Sequence, residues 1–132
     1  MMMKRIILAI VAVFVAWSAL DFLLHGLILR RTYEATAHLW RPMAEMKMGV
    51  MHVAVFIFSM AFVLIYARLV REKSIGRGLY YGLLFGLATG VSMGYGSYAV
   101  MPIPYHLAFA WFAGSLVEAT VSGVIVGVII RK

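Results

Sequence analysis

Cysteine is absent from the 132 residues. That excludes disulfides, thiolate metal ligands and cysteine nucleophiles, and it leaves the redox compartment unread. Charge is scarce as well. Charged residues make up 13% of the chain against 64% hydrophobic, and the mean hydropathy is +0.97. A soluble domain of 14.7 kDa has too little interior to hide so much apolar surface, so the excess is expected to face lipid. Also missing are a Gly-rich phosphate loop, H-E-x-x-H and G-x-S-x-G, and no Lys or Arg falls inside a long apolar run. Without a nucleophile beside a base, or a cationic pocket for an anionic substrate, catalysis is not expected. The net charge of +7 does not indicate nucleic acid. The basic residues stand at the ends of apolar runs and form no continuous stripe.

Four apolar runs are present, over residues 6–29, 48–67, 78–100 and 106–130. Each reaches the roughly 20 residues that a ~30 Å hydrocarbon layer requires at about 1.5 Å per residue. In lipid such runs must be helical, because every backbone amide needs an internal partner. The fold expected is therefore all-α: an integral membrane bundle of four antiparallel transmembrane helices in a single domain. The helices are expected at about 6–29, 43–68, 77–100 and 105–130, with a short interfacial helix over 31–41. Lys4 and Arg5 ahead of an apolar stretch imitate the start of a signal peptide. The run continues to Leu29, however, and Ala16-Trp17-Ser18 is a poor cleavage site, so an uncleaved anchor is expected.

Lys and Arg set the orientation. Lys4, Arg5, Arg68, Arg71, Lys73, Arg77, Arg131 and Lys132 would lie on one side, and Arg30, Arg31, Arg41 and Lys47 on the other. Eight against four puts both termini in the cytoplasm by the positive-inside rule. Tyr66, Tyr80 and Tyr81 would then mark the inner interface, and Tyr33, Tyr98 and Tyr105 the outer one. Ser74 and Gly76 suit a tight inner turn, and Met101-Pro102-Ile103-Pro104 a tight outer one. Pro42 is expected to open the second helix and Pro104 the fourth.

Helix three carries Gly78, Gly82, Gly86, Gly90 and Gly94 at a strict spacing of four. Lipid offers no hydrophobic drive for helix association, so close backbone approach must supply it. At 3.6 residues per turn the glycines drift only ~40° per step and make one slowly winding groove. Gly114, Gly123 and Gly127 of the fourth helix are the matching surface. The spacing leaves open whether that partner lies in the same chain or in another protomer.

Asp21, His25, His52, His106 and Glu118 are ionisable groups inside or at the rims of the spans, where such groups are costly and mark functional sites by default. Without a basic partner, Asp21 and Glu118 must be protonated or paired. Ser115 and Ser122 lie near the face of Glu118. Asp21 and His25 are one turn apart on one face, which suits either a carboxylate orienting a structural histidine or a metal or proton site.

Asp21, His25 and His38 follow the pattern D-x3-H-x12-H. That spacing resembles a copper site in a membrane-embedded component of the particulate methane and ammonia monooxygenases, over those three positions only. Met43, Met46, Met48 and Met51 lead into His52, and thioether with imidazole suits Cu(I). A copper site would thus draw on Asp21, His25, His38, His52, His106, Met48 and Met51. A haem b would need two of His25, His52 and His106 facing each other. The run Asp21-Phe-Leu-Leu-His25-Gly, with Tyr33, Leu39-Trp40-Arg41-Pro42, Met101-Pro-Ile-Pro104, Trp111 and Glu118, resembles small four-helix bacterial membrane proteins that have no known activity. The resemblance implies a bacterial inner membrane.

Three functions are compatible with these features. The first is an accessory or scaffold protein packed by a glycine zipper in a homo-oligomer or larger membrane complex. The second is an outer-leaflet copper-handling or haem-binding protein, and the third a small proton- or cation-coupled transporter with Glu118 as carrier. The lack of native cysteine makes orientation directly testable. A cysteine placed beside His38 is expected to react with an impermeant thiol reagent added outside intact cells, and one beside Lys73 is not; the reverse pattern inverts the topology.

Overall fold

The computed structural model describes residues 1–131. Four helices are long and apolar enough to cross a membrane: Met2–Ile28, Met48–Leu69, Ile75–Val100 and Tyr105–Ile129. Among the described residues there is no strand. The first span consists of α1 (Met2–Asp21) and a π-helical turn over Phe22–Ile28. A short α2 (Arg30–Ala35) follows, then α3 (Met48–Leu69). The third span is α4 (Ile75–Val91), a second π turn over Ser92–Gly96 and α5 (Ser97–Val100). The last is α6 (Tyr105–Ile129).

The spans run antiparallel. The Arg5 guanidinium donates to the carbonyl of Arg131 at 2.5 Å, which brings the start of the chain to the end of α6. Ser74, whose hydroxyl accepts from the Arg77 amide at 3.1 Å and caps α4, also lies beside Gly127. The start of α1, the end of α6 and the α3–α4 turn therefore share one end, rich in Lys and Arg. Segment α2 and the Met101–Pro104 turn share the other, called here the Trp40 end.

Helix α1 packs between α3 and α6, and α6 lies on α4. Large rings close the remaining side between α3 and α4: Phe62 meets Tyr81 at 4.7 Å and Phe85 at 5.0 Å, and Tyr66 meets Tyr81 at 5.5 Å between centroids. Tyr66 is thus a core residue, and the half-buried Tyr81 packs against it. Their hydroxyls donate to the carbonyls of Ser74 and Phe62 at 3.0 and 2.7 Å, which satisfies them inside the bundle.

The second span begins later than residue 43. Met43–Glu45 is a separate 3-10 turn, and Met46 (φ −68°, ψ 132°) is extended before α3 starts at Met48. Glu45 and Lys47 flank that break and stay exposed, since a charge in hydrocarbon is costly. Residues 31–41 do not form one interfacial helix either. Helix α2 ends at Ala35, and a 3-10 turn over Ala37–Leu39 follows. Leu39, Trp40 and Tyr33 of this segment pack on Leu29, Ile103, Leu107 and Trp111, so the segment caps the bundle.

The five glycines of the third span face α6 of the same chain, and all five are buried. A Cβ at Gly82 would stand 2.9 Å from the Gly123 Cα, and one at Gly78 would stand 2.8 Å from the Gly127 Cα. At Gly86 it would meet the Leu116 Cα at 2.9 Å, at Gly90 the Phe112 carbonyl at 2.9 Å, and at Gly94 the Phe112 amide at 3.1 Å. These neighbours are mostly backbone, which cannot give way as a flexible side chain would. Gly114 does not belong to this seam, because it faces Leu24 of the first span.

Overpacking such a contact costs about 1–3 kcal/mol. Gly82→Ala is accordingly expected to lower the unfolding midpoint in detergent, despite alanine's better helix propensity. Gly96→Ala, where a Cβ meets nothing within 4 Å, is expected to leave stability unchanged or raise it by up to about 1 kcal/mol. Equal effects at both positions would mean that α4 and α6 do not touch through their backbones.

Candidate intramembrane polar site

Asp21 ends α1 and Glu118 stands midway along α6. Antiparallel packing brings the Asp21 and Glu118 side chains beside each other. The register is fixed one turn away, where Leu24 covers Gly114. Glu118 is 4% exposed. Among the described residues no Lys or Arg pairs with either carboxyl. One Glu118 oxygen, the Ser122 hydroxyl and the Ser18 hydroxyl are buried without a hydrogen-bond partner. Ser122 shares the Glu118 face four residues on, and Ser18 shares the Asp21 face three residues back. Ser115 lies instead against Gly90 of α4.

From Asp21 a polar chain leads toward the Trp40 end. The His25 Nε2 is 3.7 Å from the Asp21 Oδ1, longer than a hydrogen bond. The His25 Nδ1 is 2.6 Å from the Tyr33 hydroxyl. Trp111 Nε1 donates to that same hydroxyl at 2.7 Å, so the one phenolic proton is free to go to His25 Nδ1. With Nδ1 accepting, neutral His25 carries its proton on Nε2, the atom that faces Asp21. Beyond Tyr33, the Trp40 Nε1 donates to the Thr36 hydroxyl at 2.9 Å, and that hydroxyl donates to the Thr32 carbonyl at 2.8 Å. The Thr32 hydroxyl is 3.2 Å from His106 Nε2 at the surface.

Local backbone geometry makes this chain possible. The Phe22–Ile28 turn is π-helical, with the Leu29 amide bonded to the Leu24 carbonyl at 2.8 Å. Such turns recur at functional positions. Leu29 (φ −92°, ψ 5°) then breaks the helix, and α2 turns Tyr33 back over His25.

The expected copper set does not assemble. Among the described residues no three or more of His, Asp or Glu gather into a group that could hold a metal ion. His38 and His52 are exposed, one on a 3-10 turn and the other on α3. Met48 and Met51 line an open hollow beside Trp40, Arg41, Met46 and Lys47, away from His25. The haem pair fares no better: His25 and His106 are engaged by hydroxyls of Tyr33 and Thr32, and His52 faces outward. The structure does not gather the full set named for either group into one place.

Tyr33 and Trp111 belong to the site although the sequence did not single them out for it. Tyr33 and Trp111 are 78 residues apart, and only the chain reversal at Leu29 joins them. No family model matches this chain, and no curated protein and no solved structure shows significant similarity to it.

Burial pushes the Tyr33 phenol up to about 12, against a small opposing effect of the Trp111 hydrogen bond, and the nearby Asp21 charge adds to the rise. A phenol that keeps its proton longer when folded contributes stability that is present below pH ~10 and lost as pH rises toward 12. Wild-type protein is therefore expected to lose stability between pH 10 and 12 more steeply than Tyr33→Phe. At pH 7 the variant should be less stable by roughly 1–3 kcal/mol, since the buried Trp111 N–H loses its acceptor. Parallel alkaline unfolding curves would show that the Tyr33 hydroxyl is not enclosed.

Proposed function

We propose that this chain is a small multi-pass membrane protein that carries a proton, or a cation in its place, on the Asp21–Glu118 pair. The observation that carries this reading is the approach of two carboxyls from two helices, Glu118 buried and Asp21 half-buried, with no basic side chain to neutralise them. Two carboxylates side by side repel, so such a pair shares one proton. A polar environment at this depth is expensive in lipid, and its usual use is ion or proton passage.

His25 and Tyr33 connect the pair to the Trp40 end. On the positive-inside rule that end faces away from the cytoplasm, and both termini are cytoplasmic. The likeness to small bacterial membrane proteins suggests the bacterial inner membrane. No catalytic step is assigned to any residue.

A second reading, an accessory component of an oligomer or larger membrane complex, has lost part of its motivation because the glycine seam is used within the chain. It retains one supporting observation: residues 41–54, including the first two turns of α3, are all exposed.

Proteoliposomes decide between them. Wild-type protein is expected to pass protons down an imposed gradient, and Glu118→Gln to lose at least ten-fold of that flux while still folding. Flux unchanged by Glu118→Gln disposes of the carrier reading. Absent flux in wild type, together with a larger species on native electrophoresis of solubilised membranes, would favour the accessory role.

A further inference from the structure

Where the chain enters α3, a hollow of about 250 Å³ lies at the Trp40 end, lined by Trp40, Arg41, Met46, Lys47, Met48 and Met51. One wall is held in place. The Trp40 indole donates to the Thr36 hydroxyl at 2.9 Å, and its ring lies 6.0 Å from that of Trp111 and 5.7 Å from that of Tyr33. The charge is one-sided, since both ionised members of the lining, Arg41 and Lys47, are cations. Among the described residues neither is paired with a carboxylate, whereas Arg30 and Arg77 bond Glu34 and Glu72 at 3.1 and 3.0 Å. Glu45, the acid between them in sequence, does not line the hollow, and the first turn of α3 carries no acid.

The apolar part of the hollow continues into the membrane. Met48, Met51 and Val55 share one face of α3 by helical spacing. Val55 is half-buried against the core, while Met48 and Met51 are exposed. Protein therefore covers that face only from Val55 inward. Lys47 stands directly before the span that begins at Met48, so two unpaired cations sit where hydrocarbon gives way to the headgroup layer.

We propose that this hollow holds one anionic phospholipid of the phosphatidylglycerol type, with its phosphate between Arg41 and Lys47 and an acyl chain along Met48 and Met51. Arginine matches a phosphate with paired N–H bonds, and lysine adds a point charge. The indole suits the interface, and flexible thioethers adapt to a chain. A zwitterionic lipid would bring its own cation beside two others, so a net negative headgroup is selected. The site uses neither Asp21 nor Glu118 and stands apart from the carrier reading.

Native mass spectrometry of the purified full-length protein in detergent tests it, with equal amounts of dioleoyl phosphatidylglycerol and dioleoyl phosphatidylcholine as probes. Wild type is expected to retain one phosphatidylglycerol in preference to phosphatidylcholine. Arg41→Gln/Lys47→Gln should weaken that retention roughly ten-fold. Arg30→Gln/Arg31→Gln, which removes two charges from the same end but outside the hollow, should leave it unchanged. All four side chains are exposed, so neither double change disturbs the packing. Equal retention of the two lipids by wild type, or no greater loss in Arg41→Gln/Lys47→Gln than in the control, overturns the site. Displacement of the lipid by an equal concentration of inorganic phosphate also overturns it, because the hollow would then hold an anion without a chain.

Discussion

Because lipid tails are as apolar as any side chain, helices gather in a bilayer only where their surfaces fit closely. In this protein the closest fit is α4 on α6, where five glycines remove every Cβ that would hold the backbones apart. The other positions follow from that contact. With one face of α6 committed to α4, its remaining faces meet α1, and Glu118 and Ser122 are turned away from the glycine seam. Helix α3 has no small-residue stripe and relies on Phe58, Phe62 and Tyr66, whose bulk fills the gap opposite α6. The bundle is thus tight on one side and aromatic on the other.

Much of this was legible in the residues. Run length and composition dictate four membrane helices, and the spacing of Gly78, Gly82, Gly86, Gly90 and Gly94 dictates a groove. What spacing cannot tell is which surface fills the groove, and the structure answers with Gly123 and Gly127 of the same chain. Gly114 looked equivalent, yet it sits nine residues before Gly123, two and a half turns and therefore on the opposite face of the helix. Ionisable residues were also readable as a set, but not as pairs. Asp21 and Glu118 are 97 positions apart, and their meeting depends on how far α1 slides along α6.

The metal-binding expectation shows the reverse failure. His38, His52, Met48 and Met51 are near one another in sequence and of suitable chemistry, yet sequence proximity in an irregular connection fixes little. Extended backbone at Trp40 and Met46 spreads these residues over the surface. Chemistry-bearing side chains on regular helices were easier to interpret, because a helix fixes their relative direction.

One residue more than an α-turn requires is accommodated between Phe22 and Leu29, where the amide of Leu29 reaches back five positions instead of four. In an α-helix each residue advances the direction of the chain by about 100°. Without the wide turn, the chain would leave α1 on a different bearing, and the Tyr33 hydroxyl would swing off the imidazole it now touches. The polar thread is therefore only as continuous as a single surplus residue makes it.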